Sequence, residues 1–78
     1  MEIRKELKKM AKYKVGDKFI SKRNGEGVKV TILFVPPVDG YDEQYYLEEV
    51  YSKYANGGDK MFLSLAKEKS IDDNFVLR

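Results

Sequence analysis

The 78-residue chain contains no cysteine, no histidine and no tryptophan. Without cysteine there is no disulfide, no thiolate metal site and no thiol nucleophile. Without histidine the commonest zinc ligand and the commonest general base are missing. A serine–histidine pair is therefore excluded at Ser21, Ser52, Ser64 and Ser70. No apolar run approaches the roughly 20 residues that span a bilayer. The opening Met1-Glu2-Ile3-Arg4-Lys5-Glu6 lacks the apolar stretch of a signal peptide. These absences predict a cytoplasmic, non-enzymatic protein with no cofactor, no metal and no membrane contact. The length predicts one domain over residues 1–78, with a thin core.

What is present is concentrated in Val28-Lys29-Val30-Thr31-Ile32-Leu33-Phe34-Val35. Val28, Val30, Ile32 and Phe34 fall on one face at period two, and β-branched and aromatic side chains suit a pleated surface. Pro36-Pro37 ends hydrogen-bonded pairing, because neither residue donates an N–H. This stretch is expected to be the central strand of a small sheet.

Upstream, Ile3, Leu7, Met10 and Ala11 recur at helical spacing, which predicts a basic amphipathic helix over 1–12. Gly16-Asp17 is turn chemistry, and Lys18–Lys22 reads as a short strand with Phe19 inward. Asn24-Gly25 marks the next turn; with Glu26 beside it, Asn24-Gly25-Glu26-Gly27 is not a phosphate loop. Downstream, residues 44–54 match a strand by composition and a helix by spacing, and the strand is the preferred reading. Residues 55–59 then form a hairpin turn into a strand over 60–66. Ser70–Asn74 reads as a single helical turn, and Phe75–Leu77 as a closing strand.

Charge and aromatics supply the candidate sites. The net charge of +2 divides into +6 over residues 1–31 and −4 over 32–78. The tyrosines and acids cluster at Tyr41, Asp42, Glu43, Tyr45 and Tyr46, a composition typical of protein interfaces. In the strand reading Tyr45, Leu47, Glu49 and Tyr51 share one face, and Tyr46, Glu48, Val50 and Ser52 the other. Asp39, Asp42 and Glu43 offer oxygen ligands of the kind Mg2+ takes, but neither a fourth acid nor a phosphate loop accompanies them. A solvated acidic loop is the simpler reading. The competing site is basic: Lys14, Lys18, Lys22, Arg23 and Lys29, with Tyr13 as a stacking platform for nucleic acid.

Tyr13-Lys-Val-Gly-Asp-Lys-Phe19, Phe62-Leu-Ser-Leu65 and Ser70-Ile-Asp-Asp-Asn-Phe-Val-Leu77 resemble small SH3-like proteins carried on Gram-positive phages and mobile elements. The resemblance implies a mostly β fold, a small five-stranded SH3-like barrel (residues 13–78) with the N-terminal helix docked on it. The alternative is an α+β fold with a second helix at 43–55. It also implies an accessory or host-interacting factor without enzymatic activity. Polyproline recognition is not expected, since the chain has neither tryptophan nor an Ala-Leu-Tyr-Asp-Tyr stretch.

The expected function is therefore a non-enzymatic binding module, an accessory or inhibitory protein acting on a protein partner. A nucleic-acid-binding barrel is the alternative. A third reading is a homo-oligomeric scaffold or small-ligand binder, with Ile3, Leu7 and Met10 of the N-terminal helix joining copies.

Overall fold

The computed structural model describes residues 11–38 and 43–78. Five strands and one helix follow in order: β1 (Lys18–Ser21), β2 (Gly25–Phe34), β3 (Tyr45–Ser52), β4 (Lys60–Lys67), α1 (Glu68–Asn74) and β5 (Phe75–Leu77). All neighbouring strands are antiparallel, in the order β4-β3-β2-β1-β5. The apolar stretch singled out in the sequence lies in β2, at the middle of the sheet.

Local chemistry explains the joints. Ser21 turns β1 into β2 by accepting the Arg23 and Asn24 N–H groups at 3.1 and 2.9 Å. Gly25 follows at φ +57°, a backbone setting that costs glycine nothing. Buried Gln44 closes the base of the loop after β2 by donating to the Pro36 carbonyl at 2.8 Å. Within 44–54, Tyr45–Ser52 is strand, with alternate residues Tyr46, Glu48 and Val50 buried. The helix alternative at 43–55 is thereby excluded. Opposite residues of an antiparallel pair share a face, so the inner face collects Phe19, Val30, Ile32, Tyr46 and Val50 into the core with Ile71 of α1.

The expected barrel is corrected. The sheet is open, not a barrel: β4 and β5 are its two edges, and no ladder joins them among the described residues. β5 has three residues against the eight of β4, and Ile71 of the intervening helix plugs the core instead of a closing ladder. The expected N-terminal helix over 1–12 falls mostly outside the described residues, and Ala11 and Lys12 are not helical. Phe34 also departs from its expected face. A bulge between Ile32 and Phe34 sets Phe34 opposite Leu47, so it leaves the core side and is exposed.

Candidate interaction surface

Tyr46 is a core residue rather than an exposed recognition tyrosine. Its ring is fully buried, and its hydroxyl donates to Glu68 Oε2 at 2.5 Å while accepting the Lys12 and Tyr13 N–H groups, each at 3.1 Å. Burial, and then the Glu68 carboxylate, push its phenol up to about 12. Tyr13 joins the same cluster. Its ring meets Phe19 edge-on at 4.8 Å, and its hydroxyl donates to Asp72. Tyr13 therefore clamps the chain before β1 onto α1 and does not offer a free stacking face.

The rest of the acidic–tyrosine set is divided. Tyr41 and Asp42 lie outside the described residues. Glu43 pairs with Lys67 at 3.7 Å. Tyr45 faces the outer side of the sheet, opposite Lys67, and is partly exposed.

The basic set is divided too. Lys18 and Lys29 both lie on the outer face, Lys18 opposite Thr31 and Lys29 opposite Ile20. There, Lys29 Nζ sits 5.3 Å from the centre of the Tyr51 ring, a cation–π distance. Lys14 lies before β1, paired with Asp17 at 3.2 Å. Lys22 and Arg23 lie beyond the other end of β1, where Lys22 Nζ donates to the Asp72 carbonyl at 3.1 Å. Lys18 and Lys29 line an open groove of about 580 Å³ with Thr31, Tyr51 and Arg78, but Asp17 and Glu49 line it as well. The groove is thus of mixed charge.

A different patch dominates the outer face. Pairing sets Phe34 beside Leu47, Leu47 beside Leu65, Glu49 beside Leu63 and Tyr51 beside Met61. Phe34, Met61, Leu63 and Leu65 are between 52% and 63% exposed. The period-two argument missed these residues because Met61-Phe62-Leu63-Ser64-Leu65-Ala66 is apolar on both faces, which reads as a strand covered on both sides.

One buried acid stands apart. Glu48 faces inward between Tyr46 and Val50, opposite Ile32 and Ser64, and its Oε1 has no hydrogen-bond partner among the described residues. Burial pushes its carboxyl up to about 7.

Among the described residues, no group of three or more acids stands close enough to hold a metal ion, and no helix is long and apolar enough to cross a membrane. No family model, no curated protein and no solved structure matches the chain. The resemblance to phage-borne SH3-like proteins therefore rests on the quoted residues alone.

Proposed function

We propose that the protein is a non-enzymatic binding module, an accessory or inhibitory factor that docks a protein partner on the outer face of its sheet. The observation that carries this reading is the apolar cluster of Phe34, Leu47, Met61, Leu63 and Leu65, most of it in water, with Tyr45 beside it. A contiguous apolar patch rimmed by polar groups marks interaction surfaces, and an aromatic there supplies contact area at small entropic cost. Glu43 and Lys67 stand at its rim, where charges steer encounter more than they hold the complex.

The test is capture from nuclease-treated host lysate by three immobilised proteins: the parent, Phe34→Glu with Leu65→Glu, and Lys22→Glu with Arg23→Glu. One protein band is expected from the parent and from the Lys22/Arg23 variant, and not from the Phe34/Leu65 variant. Equal capture by all three would refute the reading.

A second reading draws on Lys18, Lys29 and Tyr51, which line one groove: single-stranded nucleic acid bound by stacking and phosphate contacts. It predicts that an oligonucleotide is retained at low salt, that retention weakens steeply as salt rises, and that Lys18→Glu with Lys29→Glu abolishes it. Asp17 and Glu49 in the same groove oppose phosphate, which leaves this reading second.

A further inference from the structure

Among the described residues, the outer edge of β4 is an open backbone ladder, and its direction can be read from the hydrogen bonds around it. Glu68 N–H donates to the Gln44 carbonyl at 2.9 Å, one rung beyond the β3–β4 pairing of Tyr45 with Lys67. Antiparallel pairs alternate between bonded and non-bonded. Residues 62, 64 and 66 therefore bond to β3, while Met61, Leu63, Leu65 and Lys67 turn their N–H and C=O groups outward. The opposite flank of β3 agrees: Lys53 N–H donates to the Gly27 carbonyl at 3.0 Å, so the odd residues of β3 bond to β2.

Natural edge strands are protected by proline, bulges or charges that block pairing with another chain. Between Met61 and Ala66 there is no proline, no glycine and no charge, and the register with β3 runs unbroken. The outward groups alternate with exposed apolar side chains, which leaves this edge ready to accept another strand.

We propose that a second copy of this chain is that strand: two β4 edges pair antiparallel about a two-fold axis at Leu63, forming one continuous ten-stranded sheet. Self-complementarity selects this occupant and this register. With Leu63 opposite Leu63, Met61 faces Leu65 of the second copy and Lys67 faces its Asp59. The three apolar outer-face residues thus meet apolar partners, and each Lys67 meets an acid. A slip of two residues in one direction sets Asp59 against Leu65. The same slip in the other direction sets Lys67 against Met61. A slip of one residue turns bonding groups toward non-bonding ones. Pairing uses the backbone edge and leaves the outer face open, so it goes beyond the partner-docking reading and doubles the apolar patch that reading employs.

The experiment is sedimentation of the full chain across a concentration series, with no other protein present. A reversible monomer–dimer equilibrium is expected. Leu63→Lys places two like charges opposite each other at the axis and should weaken self-association roughly tenfold or more, with an unchanged far-ultraviolet circular dichroism spectrum. Leu63 is exposed, so this variant is expected to fold. Asp59→Lys alone and Lys67→Asp alone should each weaken the dimer, and the two together should restore it, which reads the register directly. A strict monomer up to about 1 mM would overturn the proposal, and so would a dimer indifferent to Leu63→Lys. Either result leaves the lysate capture by the Phe34/Leu65 face free to succeed or fail separately. A monomer that pairs instead with an extended segment of another protein would also refute self-pairing.

Discussion

Ile32→Ala is expected to cost about 2–5 kcal/mol, the range for truncating a buried branched side chain and leaving part of its volume empty. Ile32 is a core residue of the middle strand and has no exposed surface. Both of its backbone groups are held by the segment leading into β1, since its N–H donates to the Asp17 carbonyl at 3.0 Å and its carbonyl accepts the Gly16 N–H at 2.9 Å. These bonds hold the Ile32 backbone in place, which limits how far the strand can move to fill the gap. For a domain of this size each kcal/mol moves the melting temperature by about 4–8 °C, so the variant should melt at least roughly 10 °C below the parent, if it folds at all. Ile32→Val, which removes one methyl, should cost about 0.5–1.5 kcal/mol. Thermal melts followed by circular dichroism check both. An alanine variant melting within about two degrees of the parent would show that β2 is not the centre of the core.

The second large effect is a dependence on pH that runs against the usual direction. Most carboxylates in folded proteins are held below their ordinary range, and stability is then lost as pH falls. Asp17 and Asp72 behave in that way. The Lys14 N–H lowers the first and the Tyr13 hydroxyl lowers the second, so their contribution is present above the usual 3.8 and is lost below it. Glu48 acts in the opposite sense. Its folded-state value of about 7 lies above its usual 4.5, so the folded state holds the proton more tightly than the unfolded chain. The stability it permits is fully present below 4.5 and is lost as pH rises through 7, levelling off beyond. The loss is on the order of 3 kcal/mol. Denaturant titrations from pH 5 to 8 should show the parent weakening steadily, while Glu48→Gln stays level and is the more stable protein at pH 8. A parent of constant stability over that window would contradict the account, as would a slope that persists in the Gln variant.

The order of elements was legible because each carried its own local chemistry. Alternating Val28, Val30 and Ile32 specified a strand, Pro36-Pro37 ended it, and Asn24-Gly25 turned the chain. Residues 75–77 have the bounds the sequence predicted, and α1 begins two residues before Ser70, at Glu68, where the Glu68 side chain meets Tyr46. What stayed hidden depends on contacts between distant residues. The shared face of Tyr46, Glu48 and Val50 was visible, but their inward orientation was not, because the partner of the Tyr46 hydroxyl lies 22 residues away. The composition of 41–46 accordingly puts Tyr46 at an interface, though its ring is buried, and the alternation leaves open whether Glu48 points in or out. Closure was hidden for a similar reason. Nothing in Phe75-Val76-Leu77 states that β5 pairs with β1 alone, and a strand apolar on both faces, such as 61–66, normally signals a covered position. The bulge that turns Phe34 outward left no mark in a run where Leu33, Phe34 and Val35 are all apolar.

Amide hydrogen exchange along β4, followed by NMR at several protein concentrations, tests the open edge most directly. In dilute solution the Met61, Leu63 and Leu65 amides should exchange quickly, while those of Phe62, Ser64 and Ala66, bonded to β3, should be protected. On concentration the three fast amides should become protected as the edges pair, and Leu63→Lys should keep its neighbours Met61 and Leu65 fast at every concentration. Protection of Met61, Leu63 and Leu65 at the lowest concentration would mean that β4 is already paired within one chain, and fast exchange that persists at every concentration would mean that no second strand ever docks there; either result would contradict the account.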